Sequence, residues 1–523
     1  MFVTNENSNK SNLVKNIISK PAFLNLILVL IQLIIILYVA TFLGEHLKSF
    51  FLGNYIISIV LILLITARDQ NIAYKMSWIV PITFFPAASL VMYLVMNVIP
   101  HAKKITLKLS HEESLANLFL KPDFEKSSAL IAHMDAQDSA KSLLKFLHDE
   151  TAYPAYTHTK AVYIPEGNDI FEQMLADFKT AERYIFMEFF IVSDGKLLRN
   201  MLDILSERIQ NGVKVKLLYD GTNEFMLPKG FDTELRDIGI DVKIFSPVTP
   251  IVSTYQNNRD HRKIVVIDGK TAYTGGMNLA DEYANLKTRF GYWKDSAVRL
   301  QGPAVKSMLA QLLSMDSLIA GPSKEEYSAY LNYEPEIFEE ESGLMTPFSD
   351  TPGDEVQTCE NIILHMLYNA KDYVYITSPY MLTDNEIFTA IVYAAKRGVD
   401  VRIIVPEIPD KKIPFHVNQS YYPMFFEAGV KIYQYLPGFI HAKTYVSDDK
   451  VAMVGTVNLD YRSLYLHFEN AVLFTDCKVC HEVKEDFLKT VDISRLMDME
   501  SYSQLPLYTR AFGRVMRIFA PLM

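Results

Sequence analysis

A pattern of histidine, lysine, aspartate, glycine and asparagine occurs twice in this chain, and an internal duplication constrains the fold more than any single motif can. The first copy is His261-Arg262-Lys263, Asp268 and Gly275-Gly276-Met277-Asn278; the second is His441-Ala442-Lys443, Asp448 and Gly455-Thr456-Val457-Asn458. In each, the Asp stands seven positions after the His and the first Gly seven after the Asp. One such match in 523 residues is a weak motif, but two that share the downstream Gly and Asn are a strong one. The surroundings repeat as well. Ala181-Glu182-Arg183-Tyr184-Ile185 and Gly212-Val213-Lys214-Val215-Lys216 precede the first copy, and Ala370-Lys371-Asp372-Tyr373-Val374 and Gly398-Val399-Asp400-Val401-Arg402 the second.

Two halves follow from this, 152–325 and 356–523. In the first, helical periodicity over Asn168–Thr180 and Lys196–Gln210 alternates with strand-like runs at Tyr184–Val192 and Val213–Tyr219. The second repeats it with strands at Asp372–Ser378 and Val401–Val405 around a helix at Asn385–Lys396. Such alternation predicts an α/β fold with a largely parallel sheet in each half. The acidic stretch between the halves, Ser323–Glu355 with its core at 326–355, has the composition of an exposed linker.

Lys263 to Thr274 reads as two strands joined by a tight Asp268-Gly269 turn. Residues i and i+2 of a strand face one way, so His261 and Lys263 project together, as do His441 and Lys443. Asp268 and Asp448, grouped with them as the catalytic set, have the opposite parity; they are expected to fix the turns and support the site. Asn278 and Asn458 return beside the His and Lys after the second strand.

Attack on an anionic phosphodiester needs cationic or amide donors on its nonbridging oxygens. Lys263, Lys443, Asn278 and Asn458 supply them, the two Asn as the candidate phosphate-binding pair. Imidazole can serve near neutral pH as nucleophile and as proton donor when the roles fall on different rings. One His per half meets that requirement: one attacks phosphorus to form a phosphohistidine, and the other protonates the departing alkoxide and later deprotonates the incoming hydroxyl. A nucleophilic His needs its second ring nitrogen held, usually by a carboxylate. Asp295 in Trp293-Lys294-Asp295 and Glu469 in Phe468-Glu469 are the candidates.

Half the residues are hydrophobic and the mean hydropathy is +0.08, which points to a membrane portion. After an N-terminal tail at 1–22, region 23–99 holds two to three expected transmembrane helices: Leu26–Leu43, Ser49–Thr66 and Ser77–Ile99. The first, extended from Phe23, is about 30 Å long as a helix, enough to cross the hydrocarbon layer. It exceeds a signal-peptide core and is read as a retained anchor. A juxtamembrane segment follows at 100–151. Lys10, Lys15 and Lys20 before the spans are matched by Lys103, Lys104 and Lys108 after them, so charge does not set the orientation. The net charge of −10 argues against a nucleic-acid binder. Three cysteines are too few for a disulfide framework, and Cys477-Lys478-Val479-Cys480-His481 sits at a strand-to-helix junction without further ligands and is read as incidental. From Leu507 to Phe519, Arg510, Arg514 and Arg517 share one helical face and Phe512, Val515, Met516 and Phe519 another. That suits either an anionic interface or a packed C-terminal helix.

These motifs resemble those of the phospholipase D superfamily, and more narrowly the bacterial cardiolipin synthases of the phospholipase D type. The resemblance covers nearly the whole chain. It rests on the N-terminal apolar spans, Ala67-Arg68-Asp69-Gln70-Asn71, Asn257-Asn258-Arg259-Asp260 before the first His, Asp281-Glu282-Tyr283, Trp293-Lys294-Asp295, Asn458-Leu459-Asp460-Tyr461-Arg462-Ser463 and His467-Phe468-Glu469. It implies two α/β/α halves meeting at a pseudo-twofold axis to make one active site. It also implies transfer of a phosphatidyl group between two phosphatidylglycerol molecules, releasing glycerol, with no cofactor and no catalytic metal. The expected partners are phosphatidylglycerol and other anionic lipids of the bacterial plasma membrane, in which the chain would be a multi-pass protein. By the same resemblance His261 is the nucleophile and His441 the acid/base, an assignment the residues themselves leave open. Asp260 stands where Asn is usual and is expected to raise the pKa of His261. A hydrolase using water, or a transferase using another alcohol, would need the same residues.

Overall fold

The computed structural model describes residues 30–38, 47–68, 71–97, 101–247, 257–321, 324–354 and 356–523. The chain divides into two compact units. One holds Met1–His101, Val248–Asn257 and Ile518–Met523; the other holds Ala102–Pro247 and Asn258–Arg517.

In the first unit, residues 30–38 are helical and the helices Leu47–Thr66, Ile72–Phe84 and Pro86–Asn97 follow. The expected span Ser77–Ile99 is broken at Phe85. Pro86 has no N–H and disfavours helical dihedrals in the residue before it, and Phe85 adopts φ −134°, ψ 62°. Gln32 Oε1 accepts the N–H of Ala88 at 3.0 Å, satisfying one of the donors such a break exposes. The fold-back brings Trp78 and Tyr93 edge to face at 5.2 Å, in a small core with Leu61, Ile65 and Ile82. Ser77 Oγ donates to the carbonyl of Ile518 at 3.0 Å. Among the described residues no helix is long and apolar enough to cross a membrane. The first expected span lies partly outside them, and in the second the described side chains begin at Leu52.

The second unit carries both halves. The first half contributes β1 (Lys160–Ile164), β2 (Tyr184–Phe189), β3 (Lys214–Asp220), β4 (Asp241–Phe245), β5 (Ile264–Ile267), β6 (Thr271–Gly275), β7 (Tyr292–Lys294) and β8 (Ala297–Gln301). From the connecting stretch comes β9 (Leu344–Asp350). Then follow β10 (Tyr373–Thr377), β11 (Met381–Leu382), β12 (Asp400–Pro406), β13 (Lys431–Tyr435), β14 (Gly438–Ile440), β15 (Thr444–Ser447), β16 (Val451–Gly455), β17 (Leu459–Asp460), β18 (Glu469–Thr475) and β19 (Ser494–Met497). The first sheet has the order β1-β8-β6-β5-β2-β3-β4. The second repeats it strand for strand as β9-β18-β16-β15-β10-β12-β13, with β19 added at the end.

Both sheets are mixed, not largely parallel. Only β2-β3-β4 and β10-β12-β13 run parallel; the other neighbours in both sheets are antiparallel. The motif itself is the reason, because β5 and β6, like β15 and β16, are joined by three-residue turns, and a turn that short connects only antiparallel strands.

The helix Val305–Ala320 is buried at every position from Val305 to Ser317. It lies in a core common to both sheets, with Phe186, Ile264 and Val298 from the first and Val446, Val454 and Val472 from the second. The stretch expected to be an exposed linker is part of this body. It forms a helix at Lys324–Leu331, whose Tyr327 and Leu331 are fully buried, and then β9, paired with β18. Its acidic composition misleads because Glu325, Glu334, Glu336, Glu339 and Glu340 face outward while a few apolar residues anchor it. The 100–151 segment is likewise helical at His101–Asn117, Lys121–His133 and Ser139–Asp149, and Ala116 and Leu120 enter the same core.

The C-terminal helix Leu507–Met516 packs through Gly513, where a Cβ would collide with the carbonyl of His416. Its Leu507, Tyr508 and Val515 stay exposed. Cys359, Cys477 and Cys480 are buried free thiols.

Candidate active site

Both motifs enter their sheets at the same place, just before the strand that runs antiparallel to the first parallel strand. Ile264 pairs with Glu188 at the C-terminal end of β2, and Thr444 with Thr377 at the end of β10. Each motif is then stitched to the other half. The His261 N–H donates to Phe468 O at 2.9 Å and the His441 N–H to Lys294 O at 2.7 Å. On the second side the pairing extends to a short parallel ladder of β14 with β7.

This crossing brings the expected carboxylates to the histidines of the opposite half. His261 Nδ1–H donates to both oxygens of Glu469, 2.9 Å away each, and His441 Nδ1–H donates to Asp295 Oδ2 at 2.8 Å. Both carboxylates are fully buried. Committing Nδ1–H to a carboxylate leaves Nε2 of each ring with its lone pair, the tautomer that nucleophile and base both require. Lys263 Nζ and Lys443 Nζ each donate back to the carbonyl of the motif histidine. Lys443 Nζ also stands 2.8 Å from His441 Nδ1, and Lys263 lies 5.2 Å from the Phe190 ring centre. Rings close the site: Phe190 against His261 at 5.0 Å, Tyr283 and Trp293 against His441 at 5.2 and 5.5 Å.

The glycines common to both copies, Gly275 and Gly455, leave no room for a Cβ, which would meet the carbonyls of Ser296 and Asn470. A Cβ at Gly276 would run into the Asp295 carboxylate, so no side chain fits there. The corresponding residue of the second copy is Thr456, whose hydroxyl donates to Glu469 Oε2 and accepts from Asn470 N at 3.0 Å.

Asp268 and Asp448 sit in the turns with φ of 56° and 54°. Asp268 accepts the N–H groups of Glu182, Arg183 and Tyr184 at 2.7–2.8 Å, and Asp448 those of Lys371, Asp372 and Tyr373 at 2.7–3.0 Å. Each carboxylate thus ties its hairpin to the entry of β2 or β10. The asparagines differ from one another. Asn278 Oδ1 accepts from Ile191 N at 2.9 Å and its Nδ2 donates to Tyr283 Oη at 2.8 Å, whereas Asn458 Oδ1 is buried without a hydrogen-bond partner.

Burial dominates the electrostatics. It holds His261 well below the ordinary histidine range, helped by Lys263 and His467, and with Lys443 it brings His441 down to about 4. Burial likewise lowers Lys263 to about 8 and Lys443 to about 7. It would raise Asp295, but His441 and Lys443 outweigh it and hold that carboxyl below its usual range; Glu469 is pushed well up by burial against the opposing pull of Lys263. The expected upward effect of Asp260 on His261 is not found. Asp260 faces Arg262, which also binds Glu188 at 2.7 Å in a fully buried trio, and its charge acts on Lys263.

Three further residues were not singled out from the sequence as site members: Glu188, Thr456 and His467. For His467 a signal exists, since ring-x-acid recurs as Trp293-Lys294-Asp295 and His467-Phe468-Glu469. His467 Nδ1 lies 3.7 Å from Glu469 Oε1, and its ring centre 5.3 Å from that of His261. Within this grouping of two histidines and one carboxylate, His261 Nδ1–H is spent on Glu469, while His467 Nδ1 faces the same carboxylate without a hydrogen bond.

A family model described as "Cardiolipin synthase, PLD-like domain" matches residues 174–297 and 363–491. The chain is 32% identical over 503 residues to a cardiolipin synthase of Geobacillus sp. (strain WCH70), covering 94% of this chain and 99% of that protein. It is 30% identical over 468 residues to a cardiolipin synthase of Geobacillus kaustophilus, covering 89% and 92%. A Streptococcus mutans protein named only as uncharacterized is 43% identical over 411 residues, 77% of this chain and 87% of that one. Among solved structures, a phosphatidylserine synthase of Haemophilus influenzae superimposes with a TM-score of 0.55 at 15% identity, covering 74% of this chain and 98% of that one, which shows a common fold. By its length-wide identity and its two matched domains, the chain belongs to the cardiolipin synthase family of phospholipase D-like phosphatidyltransferases.

Proposed function

We propose that the chain joins two phosphatidylglycerol molecules into cardiolipin and glycerol through a phosphohistidine on His261. The observation that carries this reading is the reciprocal pairing of His261 with Glu469 and His441 with Asp295, which makes one site from two halves. His261 Nε2 attacks the phosphorus of the first lipid while Nδ1–H stays on Glu469. The bond from phosphorus to the glycerol oxygen breaks, and a proton on His441 Nε2 passes to that oxygen. Neutral His441 then takes the hydroxyl proton of the second phosphatidylglycerol, whose oxygen attacks phosphorus and frees His261. Lys263 and Lys443 offset the charge on the nonbridging oxygens in a buried setting where such charges act strongly. Asn278 spends Oδ1 on Ile191 N–H and Nδ2 on Tyr283, which leaves Asn458 as the amide donor for the substrate phosphate.

The first unit is proposed as the membrane anchor. Ile34, Leu37, Ile56, Ile59, Leu63 and Phe84 are all exposed apolar side chains, more than a soluble surface normally carries in one small body. Confinement to a lipid surface supplies the second lipid alcohol at high local concentration, favouring it over water.

Product analysis in phosphatidylglycerol vesicles tests the reading. Cardiolipin with equimolar glycerol is expected; phosphatidic acid as the main product would make the chain a hydrolase.

A further inference from the structure

The two half-sites match in histidine, lysine, carboxylate and turn aspartate, yet at one position their chemistry differs. Two residues before each carboxylate stands a ring that packs on the histidine this carboxylate holds. Before Asp295 it is Trp293, 5.5 Å from His441 between ring centres; before Glu469 it is His467, 5.3 Å from His261. An indole cannot take up a proton in water's pH range, and an imidazole can. Glu469 therefore faces two imidazoles where Asp295 faces one.

His467 is built into the site. It is 8% exposed and packs on Phe190, whose ring also covers His261. Its Nδ1 has no hydrogen-bond partner and points to within 3.7 Å of Glu469 Oε1. The other charged groups that act on it come from four segments: Lys263 of the first motif, Arg259 before it, Lys411 ahead of β13 and Arg462 after β17. All four are cations, and Glu469 is the carboxylate that reaches both rings, at 2.9 Å from His261 Nδ1 and 3.7 Å from His467 Nδ1, with Asp460 acting on it in turn.

We infer that His467 is a positioning residue that competes with His261 for the one additional proton that the Glu469 charge can support, so that His261 stays neutral, with Nδ1–H on Glu469 and Nε2 free for attack. A proton shared between two rings on one carboxylate occupies each ring less than it would occupy one alone, and a second proton is opposed by the first. His441, beside Trp293, has no such competitor and is left as the half-site that can carry the proton needed by the leaving group. The duplicated motif is symmetric in its named residues, and this ring pair is what separates the two roles. The inference rests on the reading of His261 as nucleophile.

The test is the pH dependence of kcat/KM for cardiolipin formation by the full chain in phosphatidylglycerol vesicles, with H467N and H467Q beside the parent. Both variants keep a polar side chain without a titrating ring. Removing the competitor raises proton occupancy of His261, so the acid limb should move to higher pH by about one unit. kcat/KM at the pH optimum should fall less than about tenfold, since the attacking ring and its carboxylate remain. A purely structural His467 would lower activity or melting temperature in both variants and leave the limb where it was, and that result overturns the inference. Trapping of the labelled phosphohistidine by a denaturing quench at alkaline pH, in the parent and in H441A, locates the intermediate separately. A label on His441 would sink the nucleophile assignment, whereas a label on His261 with an unmoved limb would sink only the role of His467.

Discussion

Both oxygens of Glu469 lie 2.9 Å from Nδ1 of His261, although 208 positions of chain separate the two residues. His441 and Asp295, 146 positions apart, mirror them at 2.8 Å. Neither half contains a complete histidine–carboxylate pair. A half expressed alone would present an imidazole whose tautomer nothing fixes and a buried acid without its partner.

Glu469→Gln and Asp295→Asn test that dependence. An amide facing Nδ1 no longer favours the Nδ1–H tautomer, so kcat should drop by about a thousandfold or more while the fold persists. Single-turnover kinetics with circular dichroism on the same samples would check it. Near-parent rates in either variant would show that the carboxylates do not set the tautomers.

The glycine and threonine of the second motif part make distinct predictions. Gly276→Ala forces Asp295 off its place, and activity should fall by about a hundredfold, the usual effect of a catalytic group displaced by about an ångström. Thr456→Val keeps the shape but removes a hydroxyl from Glu469 and Asn470, costing about 1–3 kcal/mol of stability. Denaturant titration measures the second effect and turnover the first.

Substrate binding should weaken on the alkaline side. Burial lowers Lys443 to about 7 and Lys263 to about 8, so both are charged below those values and lose charge as pH rises through them. A phosphodiester anion favours the charged forms and raises both, so binding takes up protons between about pH 7 and 9. KM should rise over that window by at most about tenfold per pH unit for each lysine. A KM that stays flat from pH 7 to 9 would mean the lysines remain charged in the empty site.

Arg262 is fully buried between Glu188 and Asp260. Arg262→Met leaves two buried acids without their cation and should cost about 3–5 kcal/mol. Adding Glu188→Gln and Asp260→Asn should return most of that loss. Thermal melting of the single and triple variants measures the difference.

Much of this molecule was legible in the chain. The duplication, the hairpin at each motif and the place of Asp268 and Asp448 in its turn are local: they depend on parity along a strand and on short-range turn chemistry, whereas the N–H groups these two carboxylates accept come from distant segments. The carboxylates Asp295 and Glu469 were visible as candidates through their like positions after each copy. Local reading also misled. The run Ser77–Ile99 reads as one span, but Pro86 breaks it, and the acidic stretch before β9 reads as a linker although Tyr327 and Leu331 anchor it.

What only tertiary structure decided is which residue meets which. Glu469 serves His261 and Asp295 serves His441 because Phe468 and Lys294 hydrogen-bond to the histidine backbones of the opposite halves. Burial of His467 against His261, and of Asp260 against Arg262, depends on the same packing. A sequence records the chemistry of each side chain and its neighbours along the chain. Contacts across two sheets arise from a shared core assembled from both, and no periodicity in either half specifies them.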